Sequence, residues 1–84
     1  MPTIASFYGI VIMMFLLDKE HNPPHIHAFY GEFEASFTIN DGLILNGVFP
    51  KNGKRLVKQF VNRYKSELLE MWDSGNYKKL PPLV

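Results

Sequence analysis

The 84-residue sequence contains no cysteine, so disulfides and thiolate metal sites are excluded and any metal must take His, Asp or Glu. The absence also fits a reducing compartment, and a cytoplasmic protein is the expectation. Long apolar runs are missing as well. The longest, Ile10 to Leu17, is far short of the ~20 residues a membrane helix needs. No Lys or Arg precedes that run, and Asp18-Lys19-Glu20 follows it where a secretory leader would carry small residues. Neither a membrane span nor a leader is therefore expected. The chain also lacks internal repeats and linker-like stretches.

A chain this short buries roughly 60–65% of its extended surface, which sets the expectation of one domain, residues 1–84, of modest stability that self-association would raise. Hydrophobic content of 46% argues against disorder. The net charge of +1 hides a strong polarity. Residues 1–50 hold one base, Lys19, against five acids, whereas residues 51–84 hold eight bases against three acids. Such polarity bears on partner choice rather than on fold.

The periodicity predicts an α+β fold, an antiparallel meander of about four strands packed against one long C-terminal helix. Ile10 to Leu17 reads as the core of a first strand, about 7–17, apolar on both faces. One face would meet the helix, and the other a second copy, or else a loop or the tail. Pro23-Pro24 stiffens the following loop. A hairpin of 25–30 and 33–39 turns at Gly31-Glu32, and Asn40-Asp41-Gly42 leads into a strand over 43–48. Leu56, Phe60, Tyr64, Leu68 and Met71 then recur at helical spacing over about 51–74, stopped by Gly75, before an extended tail, 76–84.

All three histidines fall in the segment His21-Asn22-Pro23-Pro24-His25-Ile26-His27. On a strand, His25 and His27 project from the same side, with Cα atoms ~6.6 Å apart. Three readings stay open. The pair can anchor the loop by hydrogen bonds. It can hold a divalent metal, His25 and His27 being joined by His21, Asp18 or Glu20. Or His25 and His27 can be catalytic, sharing proton removal and donation at a phosphodiester, since imidazole titrates near neutral pH. Phe29 stands where a third alternating histidine would complete a histidine-triad pattern, which weakens the enzyme reading. No Ser-His-Asp set is apparent from spacing.

Lys51, Lys54, Arg55 and Lys58 follow i, i+3, i+4, i+7 spacing and line one helix stripe, a candidate anion-binding surface; Lys65 extends it. A solvated face, or pairing with acids of the sheet half, are the rival readings. Placing bases first and Glu67, Glu70 and Asp73 last opposes the helix macrodipole, by roughly 0.3–1 kcal/mol per exposed charge. The overall charge argues for weak nucleic-acid binding at most.

Met1-Pro2-Thr3-Ile4, Phe7-Tyr8-Gly9-Ile10, His21-Asn22-Pro23-Pro24-His25-Ile26-His27-Ala28, Phe37-Thr38-Ile39 with Asp41-Gly42, Leu56-Val57, Glu67-Leu68-Leu69 and Trp72 together resemble the small bacterial family catalogued as domain of unknown function 4160. Pro-His-x-His-Ala is the most specific element. Tyr64 departs from the family's common His, and Met71 from its common Asn, so no role resting on a helix histidine carries over. The resemblance implies a stand-alone prokaryotic domain without an established activity. It also implies genes that often neighbour one for another small domain, of unknown function 2442. The leading expectation is a protein-association module, homo-oligomeric or paired with that neighbour-encoded protein in a toxin–antitoxin-like system. The alternative is a histidine-based, metal-dependent or metal-free phosphodiesterase or ribonuclease.

Overall fold

The computed structural model describes residues 3–15 and 23–83. Five strands, β1 (Thr3–Phe7), β2 (Ile10–Met13), β3 (His25–Tyr30), β4 (Phe33–Thr38) and β5 (Ile44–Val48), form one antiparallel sheet in the order β1-β2-β3-β4-β5. Two helices follow, α1 (Lys51–Arg63) and α2 (Lys65–Ser74). The α+β meander is as expected, but the counts of four strands and one long helix are corrected.

The strand expected over 7–17 is two strands. Phe7 ends β1, Ile10 opens β2, and Tyr8 and Gly9 turn the chain between them with φ of 52° and 79°. Positive φ at both central positions is what the tightest hairpins require, and it normally calls for Asn or Gly. Tyrosine in the first of these positions hides the turn from a sequence reading. Met14 and Phe15 lie beyond β2, while Leu16 and Leu17 are outside the described residues.

The expected helix over 51–74 divides at Tyr64, whose backbone leaves helical geometry at φ −113° and ψ 24°. Tyr64 N donates to the Phe60 carbonyl at the close of α1, and Leu68 N donates to the Tyr64 carbonyl at the start of α2. Tyr64 is thus the shared cap of both helices, and neither proline nor glycine marks the break. At the far end Gly75 takes the left-handed cap, φ 76°, and donates to the Met71 carbonyl.

Strand pairing sorts side chains into two faces. Phe7-Ile10-Tyr30-Phe33 and Ala5-Ile12-Ala28-Ala35 run across the inner face as cross-strand rows. Ile26 and Phe37 continue it. Against this face the helices bury Val57, Phe60, Val61, Leu68 and Met71. Phe7 stacks on Phe60 with ring centroids 5.0 Å apart. The tail runs along the β1 edge, where Leu80 N donates to the Ile4 carbonyl at 2.8 Å, and Leu80 and Leu83 join the core. Among the described residues no helix is long and apolar enough to cross a membrane.

The β4–β5 ladder is irregular between Ile44 and Asn46, and at Gly47, paired with Ala35, φ is 96°. A Cβ there would meet the Glu34 carbonyl oxygen and lie 2.8 Å from the Ala35 Cα. Gly31 also has positive φ, 58°, but nothing lies within 4 Å of its would-be Cβ. Gly47→Ala should therefore cost roughly 3 kcal/mol, and Gly31→Ala about 1 kcal/mol. Denaturant midpoints of the two variants check this; equal losses would mean that the close approach at Gly47 is easily relieved.

Candidate functional site

The outer face of the sheet is built by the residues that alternate with the core. Ser6-Val11-Phe29-Glu34-Val48 forms one cross-strand row, and Thr3-Met13-His27-Ser36-Asn46 the next. His25 pairs with Thr38 in a third. His27 thus sits near the middle of the face, and His25 lies at the start of β3, where the rigid Pro23-Pro24 pair enters the sheet. Only His25 of these residues is buried, at 8% exposure. Trp72, in the last turns of α2, covers it with ring centroids 5.1 Å apart.

The two imidazoles lie 5.3 Å apart and are tilted by 69°. Phe15 flanks His27 edge-on at 4.4 Å. Each ring has its Nδ1 engaged. His25 Nδ1 lies 2.9 Å from the Pro23 carbonyl oxygen. A carbonyl oxygen only accepts, so Nδ1 carries the proton and the neutral ring keeps its lone pair on Nε2. His27 Nδ1 lies 3.3 Å from Ser36 Oγ, a longer contact in which either group can donate. His27, Glu34, Ser36 and Asn46 also line a shallow pocket of about 330 Å³ floored by Ala35 and Gly47.

Chemically, the arrangement offers one imidazole of defined tautomer beside a second imidazole in contact with a hydroxyl. Backbone-anchored Nδ1–H is how proteins orient a histidine that acts through Nε2, as base or as metal ligand. It equally suits a ring that pins a loop. Among the described residues no group of three or more His, Asp or Glu is placed to hold a metal ion. The proposed third ligands His21 and Asp18, like Glu20, lie outside the described residues.

Lys51, Lys54, Arg55 and Lys58 are all exposed on α1, remote in sequence from the histidines. Arg55 lines two further pockets, one with Tyr8 and Tyr30, the other with Lys54 and Lys58. Ser36 and Asn46 are the site residues that the sequence reading passed over, and Trp72 carries weight there only as an interface candidate with Leu69. Ser36 was within reach: pairing about the two-residue turn Gly31-Glu32 sets it opposite His27. Asn46 was not, because the irregularity between Ile44 and Asn46 shifts the register, and the approach of Trp72 depends on the helix path.

With this geometry established, the family described as Domain of unknown function (DUF4160) matches residues 9–73. The chain belongs to this family. The match spans both histidines of the outer face, Ser36, the basic stripe and Trp72. No curated protein and no solved structure matches the chain.

His25→Ala should destabilise the protein by roughly 2 kcal/mol, since it removes the ring under Trp72 and the donor to a part-buried carbonyl. His27→Ala, half-buried, should cost less than about 1 kcal/mol. Two-bond ¹H–¹⁵N spectra should show neutral His25 as the Nδ1–H tautomer. The Nε2–H tautomer there would mean that the Pro23 contact is not a hydrogen bond.

Proposed function

We propose that this protein is an association module that binds another protein chain through the outer face of its sheet. One observation carries the proposal. An antiparallel sheet covered on one side ordinarily turns polar residues outward, yet here Val11, Met13 and Phe29 alternate outward and none is buried. Phe15 beside His27 widens this apolar area, and Val48, 70% exposed, stands beyond Glu34 at the β5 edge. The tail does not serve as its cover, because Leu80 and Leu83 pack into the core at the β1 edge. An apolar area of this kind rimmed by polar side chains is how association sites are built.

The occupant most in keeping with an 84-residue chain is a second copy, since a twofold dimer lets one face serve both partners. Family membership adds the neighbour-encoded domain of unknown function 2442 as the other expected partner, in a toxin–antitoxin-like pair. Light scattering on purified protein, alone and mixed with the neighbour product, tests both. A complex should form in at least one case, and Val11→Lys with Phe29→Lys should dissolve it while the fold persists. A monomer that ignores the neighbour product would end the proposal.

A second reading, histidine-based phosphoester hydrolysis, is favoured by the His27–Ser36 contact within a pocket that His25 adjoins. It predicts that RNA turnover by highly purified protein falls at least about 100-fold in His27→Ala, in keeping with the contribution of general acid–base catalysis. Turnover equal in wild type and variant would mark the activity as a contaminant. Elemental mass spectrometry of protein purified without chelator separates the metal-dependent form. Near-stoichiometric metal that disappears in His25→Ala/His27→Ala would assign ligands.

A further inference from the structure

We propose that the pocket between Tyr8, Tyr30 and the first turns of α1 binds a nucleotide unit, stacking its base on tyrosine and holding its phosphate at Arg55. This site is separate from the histidine face and does not depend on the function proposed above. Its volume is about 510 Å³, and Asn52, Arg55, Leu56, Gln59 and Leu83 complete its lining.

Asn52, Arg55, Leu56 and Gln59 fall at i, i+3, i+4 and i+7, so one stripe of α1 forms the wall. It supplies a guanidinium, two carboxamides and an apolar floor, and no lining residue is acidic. Opposite stand two tyrosines, Tyr8 61% and Tyr30 38% exposed. A core role does not account for the exposure of Tyr8, and Tyr30, at the end of an inner-face row, keeps part of its ring open to solvent.

Both rings are held for presentation. Tyr8 is the first of the two positive-φ residues of the β1–β2 turn, a conformation uncommon for residues other than glycine, and its side chain is exposed there. Tyr30 is braced on opposite edges. A Cβ at Gly9 would lie 3.2 Å from its Cε1, and one at Gly53 would lie 3.7 Å from its Cδ2, so backbone flanks it on both sides. Preset aromatic faces beside a cation and amide donors and acceptors are the elements of single-strand nucleic-acid recognition.

Arg55 also lines a pocket of about 360 Å³ with Lys54 and Lys58. A phosphate at Arg55 thus has a basic path leading away from the tyrosines, suited to the next phosphates of a strand. The macrodipole points the same way: α1 has no acid in its first turn and no side-chain cap, so its positive end favours an external anion. A free nucleotide and a single strand share this chemistry, and one titration series distinguishes them.

Fluorescence anisotropy of labelled short oligoadenylate, with an equal-length duplex and AMP as competitors, supplies the test. Saturable binding is expected that weakens about tenfold or more in Tyr8→Ala and in Arg55→Gln. Arg55→Gln should also lower the salt slope by about 0.7, the value for one single-strand phosphate contact. Lys78→Gln, on the tail, should change nothing beyond twofold. AMP competing as well as the strand would assign a free nucleotide; AMP competing poorly would assign a strand. Because all the substituted side chains are exposed, retained thermal melting confirms that losses are local. The proposal is overturned if neither probe binds, if the duplex competes as well as the strand, or if both pocket variants bind like wild type.

Discussion

The register of β3 against its two neighbours is the constraint on which the rest of this structure depends. Ile26 and Ala28 pair with Phe37 and Ala35 on the inner side, while His25 and His27 pair with Thr38 and Ser36 on the outer side. Since side chains alternate strictly, a slip of one residue would place both imidazoles in the core and expose Ile26 and Ala28. The cost of burying polar rings without partners makes that slip prohibitive. One apolar alternation therefore holds the core together and fixes where the histidines stand.

From that register follow two surfaces of different character. The outer face combines half-buried apolar side chains with an imidazole pair and a hydroxyl, a mixture suited to contact with another macromolecule. The helix side presents α1 with its bases at the positive end of the dipole, an order that weakens the helix by itself. Helix α1 tolerates this because its stability comes from packing: Val57, Phe60 and Val61 are fully buried, and Phe60 stacks on Phe7. Packing energy thus frees the exposed stripe from the demands of helix propensity.

How far the sequence reading reached can be followed at particular residues. The hairpin at Gly31-Glu32 and the turn before β5 were legible because glycine and Asn-Asp-Gly announce positive φ. Pairing about the first of these turns also implied the His27–Ser36 contact, although spacing alone did not suggest a Ser-His relationship. The turn at Tyr8-Gly9 was hidden, since tyrosine gives no such signal and the apolar run after it reads as one longer strand. The break at Tyr64 was hidden for the opposite reason: side-chain periodicity runs straight through it, with no proline or glycine to interrupt it.

The sequence alone determined the α+β class, the meander, the shared face of His25 and His27 and the basic stripe of α1. Each is set by local periodicity, two residues per repeat in strands and 3.6 in helices, which needs no knowledge of distant neighbours. Family membership was legible for a related reason, because the Pro-His-x-His-Ala element is contiguous. Only the tertiary structure decided that Trp72 covers His25, that the tail lies along the β1 edge and that Tyr8 and Tyr30 share a pocket with Arg55. Those contacts join residues from different elements, and their geometry depends on a positive-φ turn, a bulge and a helix break that no periodicity encodes.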